Sequence, residues 1–121
     1  MIRSKVDQKL LGVTNSSLAN GGQVAQQNWQ LIPSQKWMLL ETAAGSGVYK
    51  IFNMNSKKVL EVSGFSTANG GKIQQWEYAG YSSQTWRIIA TSGGYFKLLN
   101  SGSQLALTVP YPTSQIGIQL H

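Results

Sequence analysis

The sequence predicts an all-β protein whose three repeats close into a barrel with approximate three-fold symmetry. Two observations support this prediction: almost the same phrase occurs twice, and every apolar segment is short and bounded by turn residues. "ANGGQVAQQNWQLIPSQKW" covers residues 19–37, and "ANGGKIQQWEYAGYSSQTW" covers residues 68–86. Self-similarity at a fixed period is typical of repeat architectures. A propeller needs at least about four blades, which a chain of this length cannot supply at this period.

The segments between the turns have the pattern of short strands. "VYKIF" (48–52) and "VLEV" (59–62) are apolar or alternating runs among Asn, Ser and Gly, and "KIQQWEY" (72–78) follows Ala-Asn-Gly-Gly. "WRIIA" (86–90) ends at Thr-Ser-Gly-Gly. Such runs between turn signals favour strands, and no segment sustains the 3.6-residue period of a helix. We therefore expect four strands per repeat.

The repeats divide a single domain, residues 1–121, into units 1–46, 47–93 and 94–121, so that a complete repeat has about 47 residues. The third unit opens at "YFKLLNSGSQLALTV", and its "GIQLH" (117–121) matches the strand around residues 73–76. Residues that recur at matched apolar positions are predicted to be buried: Leu11, Val13, Trp37, Ile51, Leu60, Val62, Trp86, Leu98 and Val109. We expect the equivalent aromatic residues Trp29 and Tyr78 to pack in the core as well.

Composition excludes several classes of protein. Hydrophobic residues make up 41% of the chain and charged residues 12%, which argues against disorder. The chain has no cysteine, so it has neither disulfides nor a thiolate metal site. Its one histidine is the terminal His121, so a histidine-based metal site or catalytic triad lacks its parts. We therefore expect no cofactor and no metal.

The net charge of +6 comes from ten Lys and Arg residues against four acids. The basic residues are scattered, and the longest basic run is the pair Lys57-Lys58. A soluble surface explains this distribution better than a nucleic-acid groove does, so we expect no nucleic-acid partner. No apolar run is long enough to cross a bilayer, so we expect no membrane insertion. The opening residues carry no apolar signal-peptide region, although a mature secreted domain would lack one too.

Four short motifs recur in order and give the sequence its family resemblance. In the second repeat they are Tyr49-x-Ile51-x-Asn53, Leu60-x-Val62, Asn69-Gly70 and Gln84-x-Trp86. In the first repeat they are Leu11-x-Val13, Asn20-Gly21 and Gln35-x-Trp37. This pattern resembles the ricin-B-type β-trefoil lectin family over nearly the whole chain. The resemblance implies a β-trefoil fold and carbohydrate binding without catalysis.

Trp76 and Glu61 mark the second repeat as the candidate sugar site. The first repeat has Gln27 where the second has Trp76, so the fold itself does not require an aromatic residue there. The resemblance implies that Trp76 stacks on a sugar and that Glu61, inside Leu60-Glu61-Val62, accepts hydrogen bonds from its hydroxyls. The matching residues Gly12 and Thr108 cannot accept from two adjacent hydroxyls at once, as a carboxylate can. We further expect Gln84 to support the site from behind, with Gln75 or Lys72 at its rim.

Two functional hypotheses remain open. The first is a carbohydrate-binding module of a larger secreted, extracellular protein, with one weak site for galactose- or xylose-type sugars. The second is a non-sugar β-trefoil that acts in protein–protein interaction or inhibition, which the missing acid in two of three repeats favours. Of the four acids only Glu61 and Glu77 lie in one repeat, and no histidine is near them, so we do not expect an enzyme.

The third repeat has no Gln-x-Trp motif, so its last strand is missing from the sequence. Two alternatives remain open: the chain is a fragment, or another chain or domain fills the place. An unfilled strand position invites edge pairing. We therefore expect the isolated chain to be marginally stable or to form a homodimer, or a partner domain to complete the third repeat.

Overall fold

The computed structural model describes residues 1–3, 8–108 and 119–120, with Thr108 and residues 119–120 described by their backbone alone. The described part is all-β, with short 3-10 turns between strands and no α-helix. Ten strands lie within it: β1 (Leu10–Val13), β2 (Val24–Gln27), β3 (Trp37–Glu41), β4 (Val48–Asn53), β5 (Val59–Val62), β6 (Ile73–Trp76), β7 (Trp86–Ala90), β8 (Phe96–Asn100), β9 (Leu107–Thr108) and β10 (Gln119–Leu120). The predicted all-β class is confirmed.

Strands β3, β4, β7 and β8 pair antiparallel in succession and form the wall of the barrel. Three hairpins, β1–β2, β5–β6 and β9–β10, recur once per repeat and share one register. The equivalent pairs across them are Gly12 with Ala25, Glu61 with Gln74, and Thr108 with Gln119. The third hairpin thus has the register expected from matching "GIQLH" with the strand around residues 73–76.

Strand β6 is shorter than the predicted segment 72–78, because its last residues leave the sheet. The backbone carbonyl of Glu77 accepts a hydrogen bond from Gln84 Nε2 at 2.8 Å, and the Ala79 N–H donates to Gln84 Oε1 at 2.8 Å. A side-chain amide therefore replaces the partner strand beyond Trp76 and satisfies the backbone groups there. Gln35 does the same in the first repeat, where it bonds the Asn28 carbonyl and the Gln30 N–H.

The core follows the recurring apolar positions. Of the predicted core residues, the buried ones are Leu11, Val13, Trp37, Ile51, Leu60, Val62 and Trp86. Leu98 is partly buried against this cluster, and Val109 lies outside the described residues. The indole N–H of Trp37 donates to the Leu11 carbonyl at 3.1 Å, and that of Trp86 to the Leu60 carbonyl at 2.9 Å. In both repeats the core thus has the same apolar contacts, and the N–H of each buried indole has a backbone carbonyl as its acceptor.

The prediction that Trp29 and Tyr78 lie in the core is wrong for Trp29 and only partly right for Tyr78. Trp29 is 50% exposed, and the Arg3 guanidinium carbon lies 5.2 Å from its ring centroid. Tyr78 is half-buried beside Phe52, with its ring 4.5 Å from Lys50 Nζ. Both aromatics follow the hairpin, where the chain turns over the surface. The buried side chains of Gln35 and Gln84 bond the backbone of these turns from the inside, so the rings lie on the outside.

The loop that carries the first Ala-Asn-Gly-Gly docks on strand β6 of the second repeat. The Gly21 N–H donates to the Gln75 carbonyl and the Gln75 N–H to the Gly22 carbonyl, each at 2.9 Å. Gly21 has φ +85°, and a Cβ on Gly22 would lie 2.7 Å from Gln75 Nε2, so both positions require glycine. The Glu77 N–H donates to Asn20 Oδ1 at 2.8 Å. This loop therefore holds the strand that carries Trp76.

An apolar cavity of about 610 Å³ lies between the N-terminal residues and strands β3, β7 and β8. Its lining includes Ile2, Leu39, Ile88, Phe96 and Leu98. Phe96 is exposed on β8, which pairs with β7 and ends the order of the main sheet among the described strands. The self-association expected from the sequence stays a prediction, and light scattering over a range of concentrations tests it: a stable monomer at all of them would contradict it.

None of the described segments forms a helix that is both long enough and apolar enough to span a bilayer.

Replacement of Trp86 by alanine should strongly destabilise the fold. Trp86 is fully buried and its indole bonds the Leu60 carbonyl, so Trp86→Ala should lower the free energy of unfolding by about 3–5 kcal/mol. The control is Trp29→Ala, which removes a half-exposed ring over a single cation and should cost about 1 kcal/mol or less. Urea denaturation followed by circular dichroism measures both. Equal losses in the two variants would contradict the core assignment.

Candidate functional site

A surface depression of about 350 Å³ lies over the β5–β6 hairpin of the second repeat. Its lining combines one acid, three aromatic rings and a few small or polar residues: Glu61, Val62, Gly64, Phe65, Gln74, Trp76, Tyr81 and Ser83. The depression thus contains Glu61 and Trp76, the two residues on which the sequence-based site prediction depends. Its volume falls in the range of small-molecule sites.

Glu61 lies at the floor of this depression and is only 7% exposed. Its position in β5 places it directly opposite Gln74 of β6, so the two side chains share one face of the hairpin. Gln74 Nε2 donates to Glu61 Oε1 at 2.8 Å, and Gln84 Nε2 donates to Glu61 Oε2 at 3.0 Å. Each carboxylate oxygen therefore has one fixed donor and retains capacity to accept another.

Gln84 is fully buried behind Glu61, which is the supporting position predicted from the sequence. It closes the 3-10 turn Ser82–Gln84, immediately before strand β7. Because its Oε1 accepts the Ala79 N–H, its Nε2 must face the Glu77 carbonyl and the Glu61 carboxylate. The same contacts that end strand β6 therefore fix the orientation of the acid.

Trp76 is 40% exposed and lies on the same face of β6 as Gln74. Two further rings complete the aromatic lining, and the sequence-based prediction missed both. Phe65 and Tyr81 are exposed and pack edge to face, with ring centroids 5.1 Å apart and planes at 85°. The first repeat has Ser16 and Ile32 at their positions. The comparison between the first and second repeats, which singled out Trp76, therefore contains the same signal for Phe65 and Tyr81.

Ser83 was also missed as a site residue. In the first repeat the equivalent Ser34 hydroxyl bonds the Ser16 hydroxyl at 3.0 Å. In the second repeat Phe65 replaces Ser16, and the buried Ser83 hydroxyl has no hydrogen-bond partner within the part of the chain that the structure describes. An unpaired buried hydroxyl at the wall of a depression costs free energy. A ligand hydroxyl that the Ser83 side chain can turn to meet would remove that cost.

The prediction that Gln75 lies at the rim is wrong. Its side chain is fully buried on the opposite face of β6 from Trp76, as strand alternation dictates. Gln75 Nε2 donates to the carbonyls of Ser17 and Ala19, both at 2.9 Å, and Oε1 accepts from Ser56 at 2.6 Å. Gln75 therefore fastens the first repeat to the second.

The expected rim position of Lys72 stays a prediction. Lys72 is exposed, and its backbone carbonyl accepts the Ser63 N–H at the end of the same hairpin. Its side chain does not line the depression.

The equivalent place in the first repeat has a different chemistry. Gly12 replaces Glu61, and the Gln27 side chain folds back into the vacated space, so that a Cβ on Gly12 would collide with Gln27 Oε1. Gln35 Nε2 donates to Gln27 Oε1 at 2.9 Å, as Gln84 does to Glu61. Gln27 thus supplies the equivalent acceptor from the position of Trp76. At this place the first repeat therefore has neither a carboxylate nor an exposed ring.

The second-repeat depression is suited to binding a polyhydroxylated ligand. A carboxylate with free acceptor capacity can hold two neighbouring hydroxyls, and an exposed indole offers a flat apolar surface to C–H groups. Among the described residues, no group of three or more His, Cys, Asp and Glu side chains could hold a metal ion.

Comparison with known proteins identifies the family of the chain. The model of the ricin-type beta-trefoil lectin domain-like family matches residues 1–76 and 33–118. A search of curated proteins found no match to the chain.

Three solved structures illustrate the likeness in fold. A designed 3-fold symmetric protein, ThreeFoil, is 31% identical with a TM-score of 0.89, and the match covers 98% of this chain and 83% of that one. The exo-beta-1,3-galactanase 1,3Gal43A from Clostridium thermocellum is 28% identical with a TM-score of 0.89, over 98% of this chain and 26% of that one. A Polyporus squamosus lectin bound to a human-type influenza-binding epitope is 13% identical with a TM-score of 0.81, over 98% of this chain and 41% of that one.

The family match extends over far more than half of the sequence, and the described strands form the three-fold pattern of hairpins around a barrel. The chain therefore has the β-trefoil fold and belongs to the ricin-type beta-trefoil lectin domain-like family.

Proposed function

We propose that this domain binds carbohydrate, without catalysis, in the depression of the second repeat. The observation that carries the proposal is the Glu61 carboxylate, which two glutamine amides hold at the floor of a depression with three aromatic rings. Membership of a lectin-like family supports sugar binding in general. The assignment of sugar binding to Glu61 and the three rings is part of our proposal.

In this proposal Trp76 stacks on the C–H face of a pyranose while Glu61 accepts hydrogen bonds from two adjacent hydroxyls. Strand pairing keeps the two residues on one face of the hairpin. Phe65 and Tyr81 complete the aromatic lining, and their edge-to-face contact holds the two rings against each other. A site this open buries little ligand surface, so we expect a Kd of about 0.01–1 mM, or about 4–7 kcal/mol.

We propose galactose- or xylose-type sugars as the ligands, and a larger secreted protein as the setting. The support for a larger protein is that similar folds occupy only 26% of a galactanase chain and 41% of a fungal lectin chain. The name of the galactanase also supports a galactose-type ligand. An extracellular location follows from the same setting and stays part of the proposal.

The second candidate function is protein–protein interaction. The observation in its favour is that the first repeat lacks an acid and an exposed ring at the positions equivalent to Glu61 and Trp76, while an apolar cavity has Leu39 and Phe96 in its lining. If the wild-type domain binds no sugar in the assays below, the protein–protein interaction function is favoured. A glycan array with the purified domain separates the two functions at the outset.

Trp76→Ala should abolish most of the sugar binding. The change removes the stacking surface, whereas Trp29→Ala removes a ring of similar exposure outside the depression and should leave affinity unchanged. Titration calorimetry of the wild type and both variants against galactose, xylose and their oligomers measures the effect. If Trp76→Ala binds as tightly as the wild type, the site assignment is wrong.

Glu61→Ala should weaken binding by about 1–3 kcal/mol, or about 5- to 150-fold in Kd, because bound hydroxyls lose a charged acceptor. Glu77→Ala is the matched control, since it removes an exposed acid that does not line the depression. Calorimetry gives the affinities, and thermal melting shows whether each variant remains folded. A folded Glu61→Ala protein with wild-type affinity would place the sugar elsewhere.

A further inference from the structure

Glu61 is a largely buried carboxylate that has no cationic partner among the described residues. Its two hydrogen-bond donors, Gln74 and Gln84, are neutral amides. No Lys or Arg side chain of the described part of the chain lines the depression. Within residues 8–108 the negative charge of Glu61 is therefore stabilised by dipoles alone. A buried charge gains most from a partner of opposite charge with good geometry.

The rings around Glu61 favour the same kind of ligand. Phe65, Trp76 and Tyr81 all line the depression and expose part of their surface to it. The face of an aromatic ring attracts a cation within about 6 Å of its centroid, and the attraction grows as the cation is desolvated. The depression therefore combines a carboxylate with three rings of the kind that attracts cations.

The depression also requires hydroxyl groups on the ligand. The buried Ser83 hydroxyl has no partner among the described residues, and each Glu61 oxygen retains acceptor capacity. A simple quaternary ammonium ion would leave these groups unsatisfied. The depression has a volume of about 350 Å³, which suits a single sugar ring with its substituents. We therefore look for a ligand that carries both a positive charge and hydroxyl groups on one ring.

We propose that the second-repeat site prefers amino sugars with a free ammonium group over the neutral sugars of the same ring. The ammonium would donate to Glu61 beside a neighbouring hydroxyl, with the ring stacked on Trp76. This inference rests on the proposed carbohydrate binding and adds the charge class of the ligand. The first repeat has the neutral Gln27 amide at the equivalent acceptor position and does not share the preference.

The test is titration calorimetry at neutral pH with galactose, galactosamine and N-acetylgalactosamine, and with glucose, glucosamine and N-acetylglucosamine. In at least one series, the free amine should bind about tenfold or more tightly than both neutral forms, since charge-assisted hydrogen bonds are about twice as strong as neutral ones. At alkaline pH, where the amine is neutral, the preference should disappear.

Glu61→Gln separates the local charge from the charge of the whole protein. It keeps the shape of the side chain but removes its charge, so the preference for the amine should shrink to within about twofold. Glu77→Gln changes the net charge by the same amount on an exposed residue outside the depression and should keep the preference.

The outcomes distinguish the inference from the proposed function. If the neutral sugars bind as tightly as the amines, the inference is wrong and carbohydrate binding stands. A preference that survives Glu61→Gln or is lost in Glu77→Gln also overturns it. If no sugar binds in either charge form, both the inference and the proposed function fall.

Discussion

The side-chain amide of Gln84 is the interaction on which both the fold and the candidate site depend. It replaces a missing partner strand by bonding the Ala79 N–H and the Glu77 carbonyl, and it uses its remaining N–H on the Glu61 carboxylate. Because the amide has one acceptor end and one donor end, the backbone bonds determine which end faces the acid. The residue two positions later, Trp86, anchors this turn in the core.

The two repeats show how one scaffold supports two different surfaces. Gln35 makes the same backbone bonds as Gln84, but its free N–H meets Gln27 instead of an acid. The buried donor thus has an acceptor in both repeats. Only in the second repeat does the acceptor come from β5, which leaves the position on β6 available for an exposed ring. The need to satisfy one N–H therefore links the acid at position 61 to the tryptophan at position 76.

Much of the fold could be predicted from the sequence because the same residue types recur at matched positions of the first and second repeats. Recurring apolar residues such as Leu11 and Leu60 identified the core, and the repeated Ala-Asn-Gly-Gly marked a turn that needs glycine. Trp29 was misplaced because repetition shows that a position matters without showing on which side of the chain it lies.

The candidate site was less completely predictable. Glu61, Trp76 and Gln84 were identified from motifs, but the placement of Gln75 failed because its role depends on Ser17 and Ala19 of another repeat. The Phe65–Tyr81 contact joins residues on two separate turns, and no local pattern indicates such a contact. The unpaired Ser83 hydroxyl likewise follows from a substitution elsewhere in the chain, at position 65.

The most direct test of the account is to follow the glutamine side-chain amide and tryptophan indole resonances by NMR while galactose is added. The account predicts that the signals of Gln74, Gln84 and Trp76 shift together and saturate with one affinity, while those of Gln27 and Gln35 in the first repeat remain unchanged. Equal shifts in both repeats, or shifts confined to the first, would contradict the claim that the carboxylate and the exposed ring create the binding site.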